Sequence, residues 1–151
     1  MTTAADQIIA ALNAFVADSD SDTRNVRDLY DILGDTFQML PVEDKIRVVP
    51  AMFDIMERAP DADLGSPGPL VHAIESLGIA AYEQRLIESV RNRPMYLNLW
   101  MVNRILNANT NTTERAPLLN LLRGVREHPL AANVIQEAER FLEHQEKCSE
   151  G

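Results

Sequence analysis

Leu86-Ile87-Glu88-Ser89-Val90-Arg91-Asn92-Arg93-Pro94 returns 35 positions later as Leu121-Leu122-Arg123-Gly124-Val125-Arg126-Glu127-His128-Pro129. A third copy, offset by 34, reads Met52-Phe53-Asp54-Ile55-Met56-Glu57-Arg58-Ala59-Pro60. Each copy has two adjacent apolar residues, a third apolar residue three positions on, and a proline four positions after that. Physically this is a helix with one buried stripe, closed by a residue that lacks the N–H the next turn needs and disfavours helical angles just before it. Recurrence every 34–35 residues, with a helix pair in each unit, marks stacked hairpins. The expected fold is all-α: a HEAT-like stack of antiparallel helix hairpins, with an irregular helical bundle as the alternative.

Outward from these copies the apolar spacing stays helical. Ile8, Ile9, Leu12, Phe15 and Val16 form one face of an amphipathic helix, and Val26, Leu29, Tyr30, Leu33 and Phe37 form another. Gly34 is a weak point in the second. Pro41 opens a third stretch, in which Pro50 predicts a kink or break. Residues 59–69 make the longest loop, ending on Pro69 as a helix start. Further helices are expected at about 80–92, 95–108, 114–127 and 130–146. No run alternates apolar and polar residues for long enough to make a strand. One helical domain is expected over 1–146, with a polar tail at 147–151.

The chain has 151 residues, 46% hydrophobic and 25% charged, which excludes a disordered chain, a collagen and a disulfide scaffold. Its single cysteine, Cys148, has no internal partner and sits in the polar tail, so an exposed thiol in a reducing cytoplasm is expected. No stretch approaches the length of a membrane span, and no signal-peptide pattern opens the chain. The net charge of −9 argues against nucleic-acid binding. All of it falls in residues 1–75, where 14 acids face 5 bases; residues 76–151 hold 9 of each. Twelve of the 14 basic residues are arginines, suited to planar pairing in salt-bridge networks.

No catalytic constellation assembles from the sequence. Asp18, Asp20 and Asp22 have the opening spacing of a calcium loop, but Thr23 stands where glycine is needed and Leu29 where a bidentate glutamate is needed. His72, His128 and His144 lack metal-ligand spacing, and His72 reads as a half-buried helix residue. The prolines of Gly65-Ser66-Pro67-Gly68-Pro69 remove the donors of a phosphate loop, leaving a rigid turn in which Gly65 and Gly68 take special backbone angles. No metal, cofactor or enzymatic activity is therefore expected.

Two surfaces remain. Asp28, Asp31 and Asp35, spaced i, i+3, i+7, share a helix face, and Asp20, Asp22, Glu43 and Asp44 can lie nearby. That face is either solvated surface or a docking site for a basic partner. The second surface is Trp100, Asn103 and Arg104 on the apolar helix 95–106, where Asn98, Asn103 and Arg104 form the wet side. Its alternatives are core packing and a tryptophan–arginine contact patch.

The segments Leu64-Gly65-Ser66-Pro67-Gly68-Pro69-Leu70-Val71-His72 and Trp100-Met101-Val102-Asn103-Arg104-Ile105-Leu106 resemble a pattern in small bacterial immunity proteins of polymorphic-toxin and contact-dependent growth-inhibition systems. The resemblance spans about residues 60–106. It implies a helical cytoplasmic protein that binds one cognate toxin, a nuclease for example, and blocks it by stoichiometric occlusion, with the shared loop structural. The implied partner is a basic protein, with neither nucleic acid nor membrane, and the free chain a monomer or weak dimer. The competing class is a helical-repeat adaptor.

Overall fold

In the computed structural model the described residues are 2–18 and 22–150, the side chains of Asp22 and of 148–150 excepted. They form helices and no strand: α1 (Ala4–Ala14), α2 (Asp22–Met39), α3 (Val42–Arg58), α4 (Gly68–Glu75), α5 (Ile79–Asn92), α6 (Tyr96–Ala108), α7 (Thr112–Gly124), a 3-10 turn (Val125–Glu127) and α8 (Ile135–Glu150). In all three sequence copies the helical run stops two residues before the proline, at Arg58, Asn92 and Glu127. The stripe of each copy is buried: Met52, Phe53 and Met56; Leu86 and Val90; Leu122 and Val125.

The chain divides into two compact units, residues 1–85 and 86–151, where the sequence suggests one domain; the boundary falls within α5. In the first unit α1 packs on α2 and α3, and α4 on α2 and α3, around Leu12, Leu29, Phe37, Phe53 and Leu70. In the second, α6, α7 and α8 pack pairwise around Leu99, Val102, Leu118, Leu122 and Ala138. Within each unit a helix meets the next or the next but one, as the helices of stacked hairpins do.

Polar groups close the helix ends. Thr3 and Asp6 form a reciprocal capping box at the start of α1, both bonds 3.2 Å. At its far end the Arg58 guanidinium donates to the carbonyls of Leu12 (2.7 Å) and Phe15 (2.9 Å). Buried Asn25 accepts from Asp18 N–H (2.8 Å) and donates to the carbonyls of Asp18 (2.7 Å) and Asp63 (3.2 Å). One amide thereby ties α2 to the segments on either side of it.

Several expectations are corrected. Pro50 does not break α3: it lies on the exposed side, so the bond it removes there can be replaced by water. Helix 130–146 begins only at Ile135, because turns hold 128–134. There the His128 ring nitrogen accepts from Leu130 N–H (3.0 Å), and Ala131 and Val134 bond back to His128 and Ala131. Its other end runs through the expected tail to Glu150. Gly34 does interrupt α2, at φ 47° and ψ −158°. His72 is exposed rather than half-buried.

Candidate functional site

An open groove of about 580 Å³ lies between α2 and the loop after α3, lined by Val26, Arg27, Tyr30, Asp31, Asp63 and Gly65 among others. The loop is shaped by positive-φ glycines, Gly65 at 108° and Gly68 at 85°, as the sequence leads one to expect. At Gly65 nothing larger fits, since a Cβ there would stand 2.2 Å from the Gly68 Cα. Asp63 braces the turn by accepting from Gly65 N–H at 2.9 Å.

The sequence puts Tyr30 on the buried stripe of α2, but its ring is 52% exposed and lines the groove. Leu29 and Leu33 carry the core contact instead. Of the acidic trio, only Asp31 reaches the groove. Asp28 is occupied by arginines of its own helix, Arg24 (3.7 Å) and Arg27 (4.0 Å). Asp35 follows Gly34, and helical phase is lost at that residue, so the i, i+3, i+7 face does not extend to it. Glu43 and Asp44 sit in the first turn of α3, where carboxylates suit the helix dipole; Asp44 also pairs with Arg47 at 3.5 Å. The Asp20 expectation, the side chain of Asp22 and the Cys148 thiol lie outside the described residues.

Each basic residue of the first unit has a partner within the unit, though Arg24, Arg27, Arg47 and Arg58 stay exposed. Arg24 and Arg27 hold Asp28; Arg47 bonds Asp6 at 2.8 Å; Arg58 caps α1. Arg85 pairs with Asp54 (2.7 Å) and Glu57 (2.9 Å), and the Lys45 ammonium lies 5.8 Å from the Phe37 ring centre. Arg47 and the Thr3 cap together hold the Asp6 carboxyl below its ordinary value, and Asp6 in turn raises the Arg47 guanidinium. Asp31, Asp35 and Glu43 have no ion pair among the described residues. Fifteen acids against 6 bases leave residues 1–85 at −9, while 86–151 have 8 of each.

The tryptophan surface, in the second unit, is part core and part patch. Arg104 stacks over the half-buried Trp100 ring, 5.0 Å from its centre. Asn103 is half-buried, and its side-chain oxygen accepts from buried Gln145 at 2.7 Å. Asn98 is no wet-side residue either. It is fully buried, accepting from Met95 N–H (2.9 Å) and donating to the Ser89 hydroxyl (3.1 Å) and the Arg93 carbonyl (2.9 Å).

Sequence reasoning missed the buried hub next to it. Arg115 donates to the carbonyls of Leu106 and Asn109 (2.9 Å) and to the Gln145 side chain (3.0 Å). Gln145 donates on to Asn103 and Asn107, both at 2.7 Å. This network joins α6, α7 and α8. Arginine nine residues after Leu106, beyond a run of asparagines, was the available clue.

Among the described residues, no three His, Cys, Asp or Glu side chains are placed to hold a metal ion, and no helix is long and apolar enough to cross a membrane. What the groove offers is the Tyr30 ring beside Asp31 and Asp63, with Arg27 also on its wall, an aromatic face and carboxylates suited to meet a cationic side chain. Compared with known families, curated proteins and solved structures, the chain matches none.

Proposed function

We propose that the chain is a stoichiometric inhibitor whose first unit binds a basic toxin domain and blocks it by occlusion, without chemistry of its own. One observation carries the reading: in a unit of net −9, Asp31, Asp35 and Glu43 have no ion pair among the described residues, and Asp31 stands with Tyr30 on an open groove. That excess of negative charge draws a basic partner from a distance. A nuclease toxin fits such a surface, because the cationic patch that grips phosphates can be met by carboxylates instead. The resemblance of residues 60–106 to immunity proteins supports the same reading, and Gly65 of the shared loop lines the groove.

Capture from native cells at low salt, followed by titration of the captured partner's activity, tests this. A basic toxin domain silenced at one inhibitor per toxin is expected; a non-toxic or acidic partner would overturn it. A second reading, a helical adaptor, is favoured by a groove of about 470 Å³ in the other unit, in which Val90, Pro117, Leu121 and Val125 line the wall together with Arg91, Asn120 and His128. Binding there would be insensitive to salt, which separates the two.

A further inference from the structure

Three large apolar side chains stand in water where α2 turns into α3: Met39 is 84% exposed, Val42 60% and Ile46 40%. Val42 and Ile46, one turn apart, share a face of α3, and Met39 precedes Val42 by three residues. The corner is held in place by Leu40 N–H on the Phe37 carbonyl (3.1 Å) and Lys45 N–H on the Pro41 carbonyl (3.0 Å). Single exposed apolar residues need no explanation, but three within eight residues of a fixed corner mark a contact surface.

The charges around the corner say what kind of contact. Glu43 lies between the two α3 residues and Asp35 lies four before Met39; both are exposed and neither has an ion pair among the described residues. Of the nearby cations, Arg47 is shared by Asp6 and Asp44, and the Lys45 ammonium lies 5.8 Å from the Phe37 ring centre. Over residues 35–47 three carboxylates stand against these two cations, so the apolar centre has a rim of net charge −1 in a unit of net −9.

We propose that this corner anchors the interface, receiving an exposed apolar side chain from a protein partner whose surrounding surface is basic. A second copy of the chain is disfavoured, since it would bring two units of net −9 together. An anionic lipid surface is disfavoured by the same charges. The inference rests on the reading of the first unit as the binding surface for a basic partner. It adds the apolar anchor, the kind of contact that carries most interface energy.

The test uses the full chain and a fluorescent amphipathic helix of leucine and lysine, read by anisotropy at low salt. Two control peptides replace every leucine by serine or every lysine by glutamate. The Leu/Lys peptide is expected to bind the wild type and to bind the Met39→Ser/Val42→Ser/Ile46→Ser variant at least about tenfold more weakly. Both control peptides should also bind the wild type weakly. If the triple variant melts early, Val42→Lys alone reads the same surface. Equal binding to wild type and variant overturns the corner and leaves the groove reading standing. No binding of the Leu/Lys peptide to the wild type overturns both. A wild-type dimer that the triple variant converts to monomer, seen by sedimentation, assigns the corner to a second copy and overturns the inference.

Discussion

Replacing Arg115 by leucine should open the second unit while leaving the first intact. The guanidinium is 8% exposed and serves the carbonyls of Leu106 and Asn109 and the side chain of fully buried Gln145. Leucine keeps the aliphatic bulk but takes this donor from the Asn109 carbonyl and the Gln145 side-chain oxygen, leaving the Leu106 carbonyl only the Asn109 N–H at 3.3 Å. Each orphaned buried acceptor costs about 1–3 kcal/mol, partly offset because a charged group no longer has to be desolvated. A net loss of about 3 kcal/mol is expected. At about 2–4 °C per kcal/mol, that lowers the melting transition containing the second unit by roughly 6–12 °C. Arg123→Leu is the matched control: it breaks only exposed contacts, the pair with Glu146 at 3.3 Å and the bond to the Asn120 side chain at 2.9 Å, and should cost under about 1 kcal/mol. Because Arg115 and Gln145 act through one network, the double variant with Gln145→Leu should lose less than the two single losses added. Urea titration followed by helical ellipticity reads all of these. A loss below about 1 kcal/mol for Arg115→Leu would refute the hub as the tie among α6, α7 and α8.

Gly65→Ala combines a positive φ with a Cβ 2.2 Å from the Gly68 backbone, so it should destabilise the first unit by about 2–4 kcal/mol. Gly68→Ala, with open space around its Cβ and only the backbone strain to bear, should cost about 1–3 kcal/mol; similar losses for both in a thermal melt would discount the close approach. Asn25→Leu should raise amide exchange around Asp18 and Asp63, the two segments its side chain joins, and unchanged protection there would count against that tie. Asp6 has a folded pKa below its ordinary 3.8, so its contribution is fully present above that value and is lost as pH falls through the depressed one. Asp6→Asn should therefore flatten the acid limb of the stability–pH curve and leave its slope near neutral pH alone.

The helical class and the three helical runs closed by prolines were open to sequence reading because they are local. The apolar stripes of the three copies and their closing prolines act over one or two turns, and Gly34 marks the break in α2 for the same reason. What could not be read is what depends on distant partners. Asn98 is polar by type and fully buried because Ser89 and the Arg93 carbonyl meet it. Tyr30 fits the period of the stripe, yet it sits at the stripe's edge, where the loop around Gly65 forms a groove rather than a lid. Arg115 and Gln145 are thirty residues apart and join only once α7 meets α8. The acidic surface was legible as charge, but not which of its carboxylates are already spent on arginines; that division separates Asp31 from Asp28.

The association rate of the captured basic partner with Asp31→Lys and Asp28→Lys variants, measured by stopped flow at low and physiological salt, tests the central claim most directly. Exposed ion pairs are worth about 0.2–1 kcal/mol, and reversal adds repulsion, so Asp31→Lys should slow association about threefold to tenfold at low salt. The difference should narrow as the screening length shrinks to about 8 Å. Asp28→Lys should change the rate less, since Arg24 and Arg27 already neutralise that carboxylate. An Asp31→Lys variant with its fold intact and the wild-type association rate at low salt would contradict the account.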